Sequence, residues 1–240
     1  MQSRWATVAG IRGHALAGGS GPAVVLVHGL GVSSRYFAPL ARRLQARHTV
    51  LAPDLPGYGR SATPPRALDI PPLADALREW LDVVGIPAAT LVGNSLGCQI
   101  AVDLALRAPD RVPRLVLIGP SMDPGAPSLL RQAVRLGQDA LREPIGLTLT
   151  AARDYVRMGP RRVVATARFA LADPLVGKLE RVGQPALVLR GARDPIVSQR
   201  WAEEVARRLP RGRLVVLRRA PHAAHWDAPG EVARLVEEFH

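Results

Sequence analysis

The residues best able to do chemistry lie in two segments: Gly93-Asn94-Ser95-Leu96-Gly97, and the stretch from Gly191 to Pro229. The first is a G-x-S-x-G pentapeptide that follows the apolar run Ala88-Ala89-Thr90-Leu91-Val92 and opens a helix-like run, Cys98 to Leu106. A strand that turns at once into a helix forces its turn residue into a strained conformation, and small residues two before and two after it keep neighbouring backbone from clashing. That strain carries the serine hydroxyl to the tip of the turn, at the positive end of a new helix. The second segment contains Asp194 and His222, in the order along the chain that such a serine requires. Together the two segments read as a nucleophilic hydrolase.

Other polar residues compete for attention. His28-Gly29-Leu30-Gly31 follows the apolar run Ala23 to Val27, and its glycines let the backbone bend and turn amide N–H groups outward, as an oxyanion pocket needs. The backbone N–H groups of Leu30 and of Leu96, just after the serine, are the candidates. His28 itself is expected to brace this loop through backbone hydrogen bonds. Asp54 is expected to hold a tight turn, and Asp103 and Asp110 to be solvated on helix faces or ends. His14, His48 and His240 show no partner signal, and the histidines lack the i, i+4 spacing with an acidic neighbour that a helical metal site uses. No metal and no cofactor is expected.

Positioning these residues calls for alternating strands and helices. A hairpin (Trp5 to Val8, Gly13 to Ala17) precedes a strand at Ala23 to Val27, continuous in apolar residues as suits burial on both faces. A helix capped by Ser33 or Ser34 runs to about Ala46, and Val50 to Ala52 is the next strand. Then come a helix (Leu73 to Val84), a strand (Thr90 to Val92), a helix (Leu96 to Arg107) and a strand (Leu115 to Ile118). The closing elements are strand Ala186 to Leu189, helix Gln199 to Leu209, strand Leu214 to Leu217 and helix Glu231 to Phe239. Such alternation predicts an α/β fold with a mostly parallel sheet covered by helices on both faces. Residues 121–182 break the rhythm with short helical patterns separated by Pro124, Pro127, Pro144, Pro160 and Pro174. We read 121–182 as a helical insertion into a core made of 1–120 and 183–240.

Composition narrows the class. At 240 residues the chain suits one large α/β domain with a modest insertion. The formal charge of +12 suggests nucleic acid at first sight, but Lys178 is the only lysine and the arginines are spread along the chain without aromatic interleaving. An arginine-usage bias accounts for that pattern, so no nucleic-acid partner is expected. No apolar run approaches the ~20 residues of a membrane span, and the first residues lack the apolar core of a secretory signal. The expectation is a cytoplasmic protein with a small-molecule substrate and no membrane partner. The single cysteine, Cys98, forms no internal disulfide and is expected to be a small buried packing residue.

Taken in order, His28-Gly29-Leu30-Gly31, Asp54-Leu55-Pro56-Gly57-Tyr58-Gly59-Arg60-Ser61, Gly93-Asn94-Ser95-Leu96-Gly97, Gly191-Ala192-Arg193-Asp194 and Pro221-His222 with Pro229 resemble the α/β-hydrolase superfamily. The likeness covers essentially the whole chain, 121–182 resembling that family's cap. It implies Ser95 as nucleophile, Asp194 as the orienting acid and His222 as the base. Chemistry supports the same roles: a serine hydroxyl needs a base to take its proton, and a carboxylate on the other ring nitrogen fixes the tautomer. His225 competes with His222, which fits the family's register better. Pro221 stands where a glycine is common.

A serine at position 95 excludes the aspartate-nucleophile chemistry of haloalkane dehalogenases and epoxide hydrolases. It leaves esters, lactones, thioesters, or carbon–carbon cleavage of vinylogous diketones. Gly93-Asn94-Ser95 resembles the elbow of meta-cleavage-product hydrolases, but Ala223 stands where that group has tryptophan. Carboxylic-ester hydrolysis therefore ranks first, carbon–carbon hydrolysis second, and a ligand receptor with little turnover is the reading from another class. Arg153, Arg157, Arg161, Arg162 and Arg168 of the insertion are expected on solvated faces, one of them turned inward if the substrate carries a carboxylate.

Overall fold

A computed structural model describes residues 1–8, 10–123, 125 and 127–239. Pro124 and His240, both named above, lie outside the described residues. Eight strands form one sheet among these residues: β1 (Gln2–Val8), β2 (Ile11–Gly18), β3 (Ala23–Val27), β4 (Thr49–Asp54), β5 (Thr90–Asn94), β6 (Leu115–Ile118), β7 (Ala186–Gly191) and β8 (Gly212–Leu217). Their spatial order is β1-β2-β4-β3-β5-β6-β7-β8. β1 pairs antiparallel with β2, and β2 with β4; every other pairing is parallel.

The parallel strands are buried on both faces, and their side chains alternate between two cores as the strand period of two requires. Val25, Val27, Leu91, Leu115, Leu117 and Val188 point to one side, against α2 (Ile70–Val83), α3 (Leu96–Arg107) and α8 (Gln199–Arg208). Val24, Leu26, Val92, Val116, Ile118 and Leu189 point to the other, against α1 (Ala38–Leu44) and α10 (Pro229–Phe239). Each fully buried valine or leucine contributes about 1.5–3 kcal/mol relative to exposure. The apolar runs of the sequence are therefore what fix the sheet's centre.

Between β6 and β7 lie α4 (Leu129–Ala140), α5 (Ile145–Met158), α6 (Pro160–Ala172) and α7 (Leu175–Leu179). A polar seam fastens this helical insertion to the core. Lys178 Nζ pairs with Asp103 of α3 at 2.8 Å and also with Asp173, and Gln99 of α3 donates to Ala170 O at 2.9 Å. Asp103 is thus buried, held by Lys178 and by Arg107 at 2.7 Å. This corrects its reading as a solvated helix-face residue: the insertion lies across that face of α3.

Three local readings also change. The helix after Ser33 starts as a 3-10 turn (Ser34–Phe37) before α1, and Ser33 gives no side-chain cap because its hydroxyl donates to Asp154 of α5. α2 begins at Ile70 rather than Leu73. Asp69 accepts the Ile70 N–H at 2.7 Å, and Pro71 and Pro72 sit in the first turn, where a missing N–H costs nothing. A short helix, α9 (Ala224–Asp227), precedes α10.

Sheet order places the functional loops. β3 runs between β4 and β5, so the chain leaves it to one side through α1 and returns to its other side through α2. The loops after β3 and β5 diverge there, and the crevice at such a reversal is where open parallel sheets bind ligands.

Candidate active site

Ser95 sits between β5 and α3 with φ 55° and ψ −119°. Apart from Met122, it is the sole non-glycine with positive φ among the described residues. Such strain persists only when its surroundings over-determine it, and here they do. The Ser95 N–H donates to Ile118 O at 3.0 Å, and Ser95 O accepts from the Cys98 N–H at 3.0 Å. A Cβ at Gly97 would lie 2.0 Å from Val27 O, and one at Gly93 would lie 2.5 Å from Gly97 O. Both flanking glycines are therefore demanded by contact with backbone. Cys98 is buried against Gly93 O and Ile118 O, and burial pushes its thiol well above the usual range.

Asp194 lies in the loop after β7. Its Oδ1 accepts the N–H groups of Ile196 (2.7 Å) and Val197 (2.9 Å), which leaves Oδ2 to meet His222 Nδ1 at 2.8 Å. A carboxylate can only accept, so Nδ1 carries the proton and Nε2 of the neutral ring holds a lone pair. Nε2 is buried and makes no hydrogen bond among the described residues. The Asp194 loop is braced by the buried Arg190, whose guanidinium donates to Val197 O (2.8 Å) and Asp194 O (3.1 Å). Asn94, the residue before Ser95, donates to Ile118 O (3.1 Å) and reaches His222 O (3.5 Å), linking the serine turn to the histidine loop. Gly119, after β6 with φ +54°, lies beneath the pair, where a Cβ would stand 2.9 Å from the His222 ring.

The loop after β3 closes over the serine. A Cβ at Gly29 would contact the Ser95 Cβ at 3.3 Å, and one at Gly31 (φ +77°) would stand 2.4 Å from the Tyr155 ring of α5. The loop carrying Leu30 is thus held between Ser95 and the helical insertion. Leu96 is the first residue of α3, so its N–H has no intrahelical acceptor.

The histidines separate by environment. Burial pushes His222 down, but the charge and hydrogen bond of Asp194, with Asp139 and Glu143 behind them, outweigh it and hold its pKa at about 9. His28 donates from Nδ1 to Gly29 O (2.9 Å) and accepts the Leu55 N–H at Nε2 (3.1 Å), so both nitrogens are engaged with backbone. His225 is buried between the rings of Tyr36 and Phe37, at centroid distances of 4.5 and 4.2 Å. Burial and the neighbouring His222 push its pKa down to about 3, which keeps it neutral. His14, expected to show no partner, bonds Asp54 Oδ2 at 2.8 Å and Ser3 Oγ at 3.1 Å, contacts between residues far apart along the chain. Asp54 also accepts the N–H groups of Ser34 (2.6 Å) and Arg60 (2.8 Å), fastening its turn to the serine-rich loop.

Sequence reasoning missed Arg190, Gly119, and two carboxylates of the insertion, Asp139 and Glu143. Asp139 Oδ1 accepts the His222 N–H at 3.2 Å, and Glu143 Oε1 accepts the Ala223 N–H at 2.8 Å. Gly119 had a signal in its place directly after a strand; the carboxylates had none, since an acidic residue near a helix end is ordinary. Of the insertion's arginines, Arg135 of α4 reaches the Asp194 loop: half-buried, it donates to Ile196 O (2.9 Å) and pairs with Asp123 (3.1 Å). Arg153, Arg157, Arg161 and Arg168 are exposed, and the half-buried Arg162 donates to Pro64 O (2.6 Å) and Arg66 O (3.0 Å) of the core.

Comparison with known proteins places this geometry in a family. The chain is 30% identical to a pimeloyl-[acyl-carrier protein] methyl ester esterase of Aromatoleum aromaticum, over 90% of this chain and 97% of that one. It is also 30% identical to a magnesium-chelatase 30 kDa subunit of Rhodobacter capsulatus, over 91% and 87%. The crystal structure of the enol-lactonase from Burkholderia xenovorans LB400 superposes with a TM-score of 0.83 at 24% identity, over 98% of this chain and 99% of that one, which speaks to the fold. The alpha/beta hydrolase family profile matches residues 24–235. The chain belongs to the α/β-hydrolase family.

Proposed function

We propose that this chain is a serine hydrolase of small, uncharged carboxylic esters, lactones or thioesters, working through an acyl-enzyme. The observation that carries the reading is the pairing of a strained Ser95 at the start of α3 with a His222 whose Nδ1 is fixed by Asp194 and whose Nε2 is left free. Ser95 Oγ attacks the carbonyl carbon while His222 Nε2 takes the hydroxyl proton. Asp194 holds the ring in the tautomer that makes this transfer possible and stabilises the imidazolium. The carbonyl oxygen, now negative, is met by the N–H groups of Leu30 and Leu96, the second strengthened by the helix terminus. The imidazolium protonates the leaving alcohol or thiol, and water then repeats the sequence to free the acid and regenerate Ser95.

An uncharged substrate is favoured by the carboxylates of Asp139 and Glu143 beside His222 and by the exposure of Arg153, Arg157, Arg161 and Arg168, with Arg135 and Arg162 committed to protein acceptors. A ring-fission dienone acid meets carboxyl groups beside His222, and the Asn94 amide N–H groups are committed to backbone carbonyls, leaving only the acceptor Oδ1, which cannot bind a carboxylate. Carbon–carbon hydrolysis therefore has less support than ester hydrolysis. The test is turnover of short p-nitrophenyl esters with the wild type and Ser95→Ala, together with labelling by a fluorophosphonate. We expect stoichiometric label on Ser95 and a loss in kcat on the order of 10⁴-fold or more in the alanine variant. Full activity in that variant sinks the proposal, and absence of turnover in the wild type favours a receptor.

A further inference from the structure

The turn that carries His222 is held from outside the core. The N–H groups of His222 and Ala223 find no main-chain acceptor among the described residues. Their partners are the carboxylates of Asp139, at the end of α4, and Glu143, in the link to α5. The charge of Asp139 also bears on Glu143 and raises its pKa. Asp139 is buried, and the second oxygen of Glu143 is enclosed without a partner. Two acids brought together under cover is a costly arrangement unless a positive charge appears nearby. The group beside them that becomes positive is the imidazole.

We propose that Asp139 and Glu143 are positioning residues for His222: they fix its loop by the backbone and set negative charge against the imidazolium formed when Ser95 loses its proton. The inference rests on the hydrolase reading above. The pair acts in two separable ways. As acceptors, they hold the His222 main chain, and so the ring, in register with Asp194 Oδ2. As charges, they add to Asp194 in favouring the protonated ring.

The other groups around this turn leave the charge of the pair in place. His225 is neutral among aromatic rings. Asp227 lies beyond Glu143 and adds to its repulsion. Tyr36 and Tyr155 are neutral phenols whose ionisation burial opposes. The nearby Arg142 directs its guanidinium to Arg193 O at 2.9 Å. Burial and the charge of Asp139 push Glu143 up to about 8, and burial raises Asp139 as well.

Amide variants separate the two roles, since Asp139→Asn and Glu143→Gln keep an oxygen acceptor and lose only charge. The measurements are the pH profile of kcat/KM on p-nitrophenyl acetate and an NMR titration of the His222 imidazole, both on the full chain. The double amide variant should shift the acid limb and the imidazole titration downward by about one pH unit. Each single variant should shift them in the same direction, which keeps the test open if the double variant fails to fold. Asp139→Ala with Glu143→Ala should add a loss in kcat on the order of tenfold through the freed loop, with KM changed less, and the amides should restore it. An imidazole titration unmoved in all the amide variants overturns the proposal, even with turnover still dependent on Ser95. Turnover that survives Ser95→Ala strikes the hydrolase reading instead, and the imidazole titration still decides this one.

Discussion

At the scale of single residues, two histidines three positions apart have opposite fates because their neighbours differ in charge. His222 meets Asp194 at 2.8 Å, whereas His225 meets only aromatic rings. Replacement of His222 by alanine should therefore cost about as much kcat as loss of Ser95, because the two act as one unit. His225→Ala should cost roughly tenfold or less in kcat. It should also lower unfolding free energy by about 2–3 kcal/mol in urea titration, since it empties a packed site. A reversed order of severity makes His225 the base. The pKa of about 9 at His222 fixes the sign of the pH dependence. The ring must be neutral to take a proton, so kcat/KM should rise with pH to a midpoint near 9. For stability the sign is opposite: with the folded value above the usual 6.5, the contribution of the His222–Asp194 pair is complete below about 6.5 and is lost as pH rises through about 9. Asp194→Asn should lower the activity midpoint and remove that stability slope, which a pH series of melting curves would read.

At the scale of elements, the serine turn is a packing requirement. With Val27 O 2.0 Å from a Cβ at Gly97, Gly97→Ala must push β3 and α3 apart. The expected cost is about 3 kcal/mol or more by denaturant titration, with activity lost even in the folded fraction. Asp69→Ala is the contrasting case. Removing that cap on α2 should cost about 1 kcal/mol and leave kcat/KM unchanged, since α2 touches no reacting group. The elements that were legible in the sequence share a cause. Strands such as Ala23–Val27 and Leu115–Ile118 are continuous apolar runs with turn residues at both ends, and α3 follows directly from the glycine spacing around Ser95. Asp194 and His222 were legible as candidates by their order after the last two strands. What escaped depends on contacts distant in sequence. Asp103 looks solvated until Lys178, 75 residues on, lies against it, and Asp139 gains significance only from a loop 83 residues away. The start of α2 was hidden because paired prolines signal a break inside a helix but fit in its first turn.

At the scale of the whole molecule, two electrostatic influences oppose one another, and substrate preference should report which prevails. The net charge of +12 attracts anions over long distances. Within the last few ångströms, the carboxyl pair of Asp139 and Glu143 beside His222 repels them, and the half-buried Arg135 of the insertion is already paired with Asp123. A like charge about 6 Å away costs on the order of 2–3 kcal/mol at an effective dielectric of about 20. That local cost should win, because the long-range field is screened within about 8 Å at physiological salt. An ester bearing a remote carboxylate should therefore show a kcat/KM roughly tenfold or more below that of its neutral isostere. Added salt should widen the gap by removing the favourable long-range part. Among neutral esters, kcat/KM should change gradually with acyl length, since each methylene buried is worth about 0.8 kcal/mol, roughly fourfold. A ring-fission dienone acid should be processed poorly, because it carries the disfavoured charge and must be ketonised by groups beyond Ser95, His222 and Asp194. A kcat/KM for the dienone about a hundredfold above the best ester, some 2.7 kcal/mol of transition-state preference, would overturn the order and make carbon–carbon hydrolysis the better reading.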